Sequence, residues 1–483
     1  MKTMKKYLLI LTVLAVTFIS CDDELETFPT SQIAADAAFK NEGDFTNALY
    51  GMYNDMLQSV DPDGNVKTYY GGALQGYDVM SDNLIISQEG RFSQQFRHDW
   101  TYDANGGFSL YLQAVYTVIQ DANFILENID VLEDSSFKNN VKGEALAARA
   151  LAHFDIVRFF GKIPTQSSDA NSSLAMPYVT TPDVNELPAR ITVSEYYGNL
   201  VSDLTSAASL INSSNNGNLQ MGKDAVNGIL ARVYLHMGNW QGAINAANAV
   251  STSVASRSSF TGIWDDSNED GVIFKLDNDD VTRVTLGVPY NQTTGGIKDE
   301  YVPDFEFFQM FDASDIRLTA YMQPNGEFGG SNYNHIIKWY SSVTTTSLGV
   351  VDAKVLRASE VMLTKAEAHA ELNQDGPALT ALDAVRSQRY SGFVSGGESG
   401  QELKDAIAKE RRLELAFEGS RFTDIKRYGI DVQRSEFGHF ADGSGVPATF
   451  KTLPASDNRF QVPIPLTEMQ LNPNMVQNPG YGD

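Results

Sequence analysis

The chain has 483 residues, 61 of them acidic against 36 basic, a net charge of −25 and one cysteine. That excess of acid argues against nucleic-acid binding, which is driven by neutralising phosphate, and a single thiol excludes disulfides within the chain. At this length a hydrophobic core suffices without them.

From the N-terminus, Lys2, Lys5 and Lys6 precede a thirteen-residue apolar run at 7–19. A bilayer-spanning helix needs about 20 such residues, so the segment reads as a secretory signal. Cys21 closes it, followed by Asp22, Asp23 and Glu24. A cysteine there reads as a lipoprotein cleavage site: residues 1–20 are removed and the Cys21 thiol is acylated. A short tether, 21–30, then leads into a soluble body. Multiple acyl chains give a stable anchor, at about 0.8 kcal/mol per buried methylene.

Residues 31–254 are expected to be mostly helical, interrupted by an insert at 61–105 rich in Gly, Asp and aromatics. Helices are predicted over 142–161 and 194–211. Over 224–250, Val226, Ile229, Leu230, Val233, Tyr234 and Met237 share one helical face, "GN" turns the chain, and Trp240, Ile244 and Ala247 open a second helix. This is a tetratricopeptide-like hairpin, in which small alanines permit close approach. Residues 255–483 mix loops and strand-like runs, at 271–276, 281–290 and 335–340, with a second hairpin at 356–389 and another irregular stretch at 431–465. Long inserts separate the helical units, so a continuous solenoid is not expected. The fold class is mainly α: a single domain, 21–483, of helical hairpins with long loop and short-strand inserts. Loops of such length usually carry function.

Catalytic signals are poor. No phosphate-cradling glycine loop, HExxH or GxSxG is present, and the six histidines (98, 153, 236, 335, 369 and 439) are scattered singly. Glu410, Glu414 and Glu418 stack at i, i+4, i+8, and such carboxylates can approach the roughly 5 Å separation of a retaining glycosidase pair. Arg411, Arg412, Arg421 and Arg427 interleave them, however. Arginines hold carboxylates ionised, which is wrong for a general acid, so a structural ion-pair network is expected. Asp266, Asn268, Asp270, Gly271 and Asp277 match EF-hand positions. Because the following residues alternate like a strand, a loop leading into a strand is expected, with no metal and no other cofactor.

The aromatics are the positive signal. They crowd both inserts beside polar groups, a combination that suits sugars. The candidate ligand-binding residues are Tyr70, Tyr77, Asp78 and Arg91 from the first insert and Tyr290, Asn291 and Tyr301 from the second. Sharing a site requires the fold to bring the inserts together.

Four places resemble the SusD/RagB family, the surface nutrient-binding lipoproteins of Bacteroidetes. They are Cys21 with its acidic run, "LRASEVMLTKAEAHAEL", "ERRLELAFEGSRFTDIKRYG" and the ending "FQVPIPLTEMQLNPNMVQNPGY". The resemblance spans 21–481. It implies a single α-rich domain, no catalysis, surface exposure on the outer membrane, and a SusC-type TonB-dependent transporter as partner; the acidic run resembles a surface-export signal. The family's motifs do not supply the ligand site. The function expected is therefore capture of an oligosaccharide for transporter-mediated uptake. The alternatives are a peptide-uptake subunit of the same fold, a glycoside hydrolase using Glu414 and Glu418, and a tetratricopeptide scaffold with no small ligand.

Overall fold

The computed structural model describes residues 38–61, 63–212, 217–292, 296–340, 343–345 and 347–482. The expected signal 1–20, the Cys21 anchor and the 21–30 tether lie outside the described residues.

The chain is mainly helical, and its helices follow their local sequence signals. Helix α1 (Glu42–Leu57) starts at Asn41, whose side chain accepts from Gly43 N while Asp44 accepts from Asn41 N at 3.1 Å, a reciprocal cap. Helices α2 (Ser109–Asn128) and α3 (Ser136–Phe160) pair, and α4 (Val193–Leu210) lies on α3. Ser135 and Thr192 cap α3 and α4 by accepting from Lys138 N and Glu195 N. The hairpin expected at 224–250 is α5 (Lys223–Met237) and α6 (Trp240–Asn248). Gly238 turns between them at φ +70°, and the Asn239 side chain caps α6. The second expected hairpin is α7 (Ala358–Glu371) and α8 (Asp375–Arg386), followed by α9 (Gly400–Glu414) and α10 (Arg421–Tyr428).

Consecutive helices from α1 to α8 pack on one another in chain order, and the stack runs through from α6 to α7. Ala243 and Ile244 of α6 bury against Ala368 of α7, small residues allowing the close approach. The expectation of an interrupted array is thus corrected: the long insert loops out, and the stack resumes where it left off. The stem of that loop is an antiparallel ribbon of two strands, β4 (Val272–Leu276) and β8 (Ala353–Arg357), whose ends lie side by side.

The remaining strands are short and form separate two-stranded ribbons. Among them are β1 (Gln58–Val60) with β2 (Val66–Thr68), β3 (Leu84–Ile86) with β5 (Tyr301–Pro303), and β6 (Met322–Phe328) with β7 (Ser331–Ile336). The run at 281–290, expected to be strand-like, forms turns instead, and β7 ends at Ile336, short of the expected 340. Pairing of β3 with β5 joins the two inserts, with Ile85 opposite Val302. Residues of the third irregular stretch close on both. Arg434 donates to the Ser81 and Val79 carbonyls, and Ser435 N donates to Asp304. The C-terminal segment is stapled to the end of α3 by Asn478, which donates to the Phe160 and Val462 carbonyls at 2.8 Å each.

The EF-hand-like segment is a loop entering β4. Asp266 is ion-paired to Lys354, and Asp270 accepts from Ser256 N and Ser259 Oγ.

The three stacked glutamates of 408–429 form ion pairs, but with partners from elsewhere; only Asp424 pairs within the stretch. Glu414, fully buried, accepts from Arg357 at 2.7 Å, from Arg389 at 2.9 and 3.0 Å, and from Arg317 at 3.1 Å. Glu410 pairs with Arg317, and Glu418 with Lys338 and Arg357. The local arginines turn outward from this hub: Arg411 to Asp424, Arg412 and Arg421 to Asp82, and Arg427 to Glu367 and Asp424. The network expected from sequence exists, with its partners exchanged. It joins β8, α7, α9 and α10.

Candidate functional site

Six of the seven candidate ligand residues are interior. Tyr70 is 5 % exposed, and Tyr77, Tyr290 and Tyr301 are 0 % exposed; Asp78 and Asn291 are also buried. Their partners are internal. Tyr70 OH donates to Asp155 at 2.7 Å, Tyr290 OH to the Phe417 carbonyl, and Asn291 to the Ile336 carbonyl. Tyr77 packs against Phe159, Tyr111 and Phe108. Asp78 accepts from Arg421 N, and burial pushes its carboxyl up to about 7. Only Arg91 is exposed, and it pairs with Glu300 of the second insert at 2.9 Å. The correction has a plain cause: two-stranded ribbons bury little by themselves, so the aromatics of the inserts pack into the main core together with the helices.

The inserts do meet, and a cleft of about 520 Å³ lies along their junction. One side comes from the first insert: Gln58 and Thr68 in the β1–β2 ribbon, then Gly71, Gly72 and Ala73. The facing side is the turn segment at 283–289, and the start of α2 closes one end with Leu110 and Tyr111. Gln58 Nε2 donates to the Thr282 carbonyl across the gap at 3.2 Å. Leu110 and Val288 form apolar lips, 57 % and 40 % exposed.

Arg97 is the distinctive group. Its guanidinium lies over the rings of Tyr77, Phe96 and Phe108 at 5.0, 5.3 and 5.2 Å, a cation–π site with three faces. Nη1 donates to Gln94 at 2.8 Å, Nη2 donates to the Gly107 carbonyl, and Nε has no partner. Burial draws its pKa below the ordinary arginine value, with only Tyr77 and Tyr301 opposing. Gly107 sits at φ +93°, and a Cβ there would strike the Phe96 ring; the carbonyl that holds Arg97 therefore requires glycine. Arg283, exposed across the cleft at φ +50°, donates to Ser347 Oγ at 2.7 Å. Gln88, Phe92 and Trp100 of the first insert also occupy left-handed backbone, which bulky residues adopt only where surrounding structure imposes it, commonly at functional sites.

Thus Tyr77 contributes from behind, as the platform under Arg97. The residues that line the cleft, Arg97, Arg283, Leu110 and the glycine pair, were not singled out by sequence. A lone arginine inside "FRHDW" carries no local signal of what surrounds it.

A model described as the SusD family matches residues 165–481. The chain belongs to the SusD family. A second model, described as starch-binding associating with outer membrane, matches residues 41–235. Among curated relatives, SusD-like protein P2 of Formosa agariphila is 25 % identical over 99 % of this chain and 100 % of its own length. SusD-like protein P25 of the same organism is 24 % identical over 96 % and 97 %. Among solved structures, a SusD superfamily protein from Bacteroides thetaiotaomicron superposes with a TM-score of 0.79 at 25 % identity, covering 91 % of this chain and all of the other. A putative sugar binding protein from Bacteroides vulgatus gives 0.78 at 25 % identity, covering 92 % and 100 %. The SusD fold therefore accounts for the helical stack and the inserts alike, and outer-membrane association comes with the family.

Proposed function

We propose that this SusD-family chain is a non-catalytic, lipid-anchored protein of the cell surface that captures an oligosaccharide in the inter-insert cleft and hands it to a SusC-type TonB-dependent transporter. The observation that carries the reading is the cleft itself: an open groove with apolar lips, glycine-exposed backbone and fixed donors, on the inserts rather than on the self-packed helices. Sugars are met by such walls with a few convergent polar groups. The sugar-binding title of the Bacteroides vulgatus neighbour and the starch-binding description of the second family model support the choice of ligand.

The absence of catalysis is argued from the Glu414 hub. Three arginines surround this carboxylate and hold it far below the usual range, so it has no proton to donate to a leaving group. Cys21, as an acylated N-terminus, would tether the body at the membrane.

The test is a binding screen of the mature chain against glycans and peptides, repeated with Leu110→Trp, which fills the mouth of the cleft from an exposed position. A glycan should bind, be recovered unaltered by mass spectrometry, and lose affinity with Leu110→Trp while the Tm stays put. Binding of peptides alone, or a shortened glycan product, overturns the reading. Co-purification of a large barrel protein from detergent-solubilised membranes tests the transporter partner.

A further inference from the structure

We propose that the inter-insert cleft selects glycans bearing an anionic group, a uronate carboxylate or a sulfate ester, with Arg97 and Arg283 as its counter-ions. This rests on the reading of the cleft as the glycan site. The chain carries 61 acidic residues to 36 basic ones, and three open surface clefts among the described residues reflect this. The cleft between α1 and α3 is lined by Glu144 and Asp277 with no basic residue, the one beside the α5 N-terminus by Asp224 and Glu269 against Lys223, and the one beside α9 by Glu367, Glu371 and Asp405 against Lys404. The inter-insert cleft reverses the pattern, with two arginines and no acid among its lining residues.

Arginine pairing points the same way. Buried arginines of this fold are matched to carboxylates: Arg149 to Asp203, Arg232 to Glu360, Arg389 to Glu414. Arg190 and Arg434 lack a carboxylate but direct Nε, Nη1 and Nη2 at main-chain carbonyls. Arg97 has neither solution. Among the described residues no carboxylate bonds it, its Nε is unpartnered, and it faces a cleft. Arg283 likewise bonds no carboxylate among the described residues. A partly desolvated cation without a counter-ion is costly. A carboxylate or sulfate matches the guanidinium fork with charge-assisted bonds. A neutral sugar would bury the charge further and leave it uncompensated.

The experiment screens the mature chain on an array of uronate-bearing, sulfated and neutral glycans. Calorimetry at about 0.15 M salt, where long-range attraction is screened, then compares oligogalacturonate with its methyl ester, and dextran sulfate with dextran. Binding is expected to favour a charged form over its neutral counterpart by about tenfold or more, the effect of a lost charge-assisted bond. The galacturonate pair reports a carboxylate and the dextran pair a sulfate. Arg97→Gln and Arg283→Gln should each weaken the charged ligand by a similar factor; Arg283→Gln, at an exposed side chain, should leave the Tm unchanged and so covers the case where Arg97→Gln fails to fold. Array hits confined to neutral glycans, or charged and neutral forms bound equally with both variants silent, overturn the anionic selection and leave glycan capture standing. No glycan bound at millimolar concentration while acidic peptides bind overturns both.

Discussion

Replacing Glu414 by Gln tests the ion-pair hub directly, because the amide keeps the shape and removes one charge. In the folded protein the two carboxylate oxygens accept four hydrogen bonds from Arg317, Arg357 and Arg389, all within 3.1 Å and all out of water. The amide replaces one acceptor with a donor that faces guanidinium N–H groups. Arg389 loses its only carboxylate among the described residues, while Arg317 keeps Asp315 and Glu410 and Arg357 keeps Glu418. Breaking a buried pair by removing one partner costs about 3–5 kcal/mol. At about 2.1 cal/mol/K per residue, the unfolding entropy of a chain this long is about 1 kcal/mol/K, so the Tm should fall by about 3–5 °C. The pH dependence gives an independent check. The Glu414 carboxyl titrates well below its ordinary value because of its arginines, so its contribution is present above the unfolded-state glutamate pKa and is lost as pH falls below it. Calorimetric melts at pH 7 and in steps down toward pH 3 should therefore show the variant and parent converging in acid. A variant that melts within about 1 °C of the parent at pH 7, or a gap that widens in acid, refutes the hub. Glycan cleavage by the parent chain that the Glu414→Gln variant lacks would refute its purely structural role.

Other outcomes are equally concrete. Cys21→Ala should move the protein from the membrane fraction to the soluble one; retention in membranes after a high-salt wash would count against the lipid anchor. Adding a chelator should leave the Tm unchanged, since Lys354 already neutralises Asp266 of the EF-hand-like loop; a fall of several degrees would reveal a bound metal. Asp121, half-buried beside Asp55, is pushed up to about 8 by desolvation and then by its neighbour's charge. Its neutral form is favoured by folding, so the stability it contributes is complete below the unfolded aspartate pKa and drains away as pH rises toward 8. Asp121→Asn should flatten that decline in a series of melts, and an unchanged slope would exclude the pair. Tyr77→Ala should lower stability by about 3–5 kcal/mol as the loss of a core aromatic and of the platform beneath Arg97; a variant with an unchanged denaturation midpoint would return Tyr77 to the surface.

The helical hairpins were legible because their signals are local. The face of Val226, Ile229, Leu230 and Val233, the turn at Gly238 and the alanines of 358–370 all act within one or two helical turns. The sequence also pointed to an ion-pair network at 408–429, since arginines beside carboxylates favour ionised acids. What it left open was which charges meet. Arg317, Arg357 and Arg389 come from three separate segments, and only the packing of α9 against α7 and β8 selects them over the adjacent Arg411 and Arg412. The aromatics show the same limit. Composition located Tyr70, Tyr77, Tyr290 and Tyr301 in inserts, but whether a ring faces solvent or core depends on what folds over it: α2 and α3 meet Tyr70 and Tyr77, the segment after α9 meets Tyr290, and Tyr301 lies in the β3–β5 ribbon. The position of a cleft between the inserts was foreseeable. The special condition of Arg97 was not, because it consists in the lack of a bonded carboxylate among the described residues, and that is a property of three-dimensional packing that no stretch of sequence encodes.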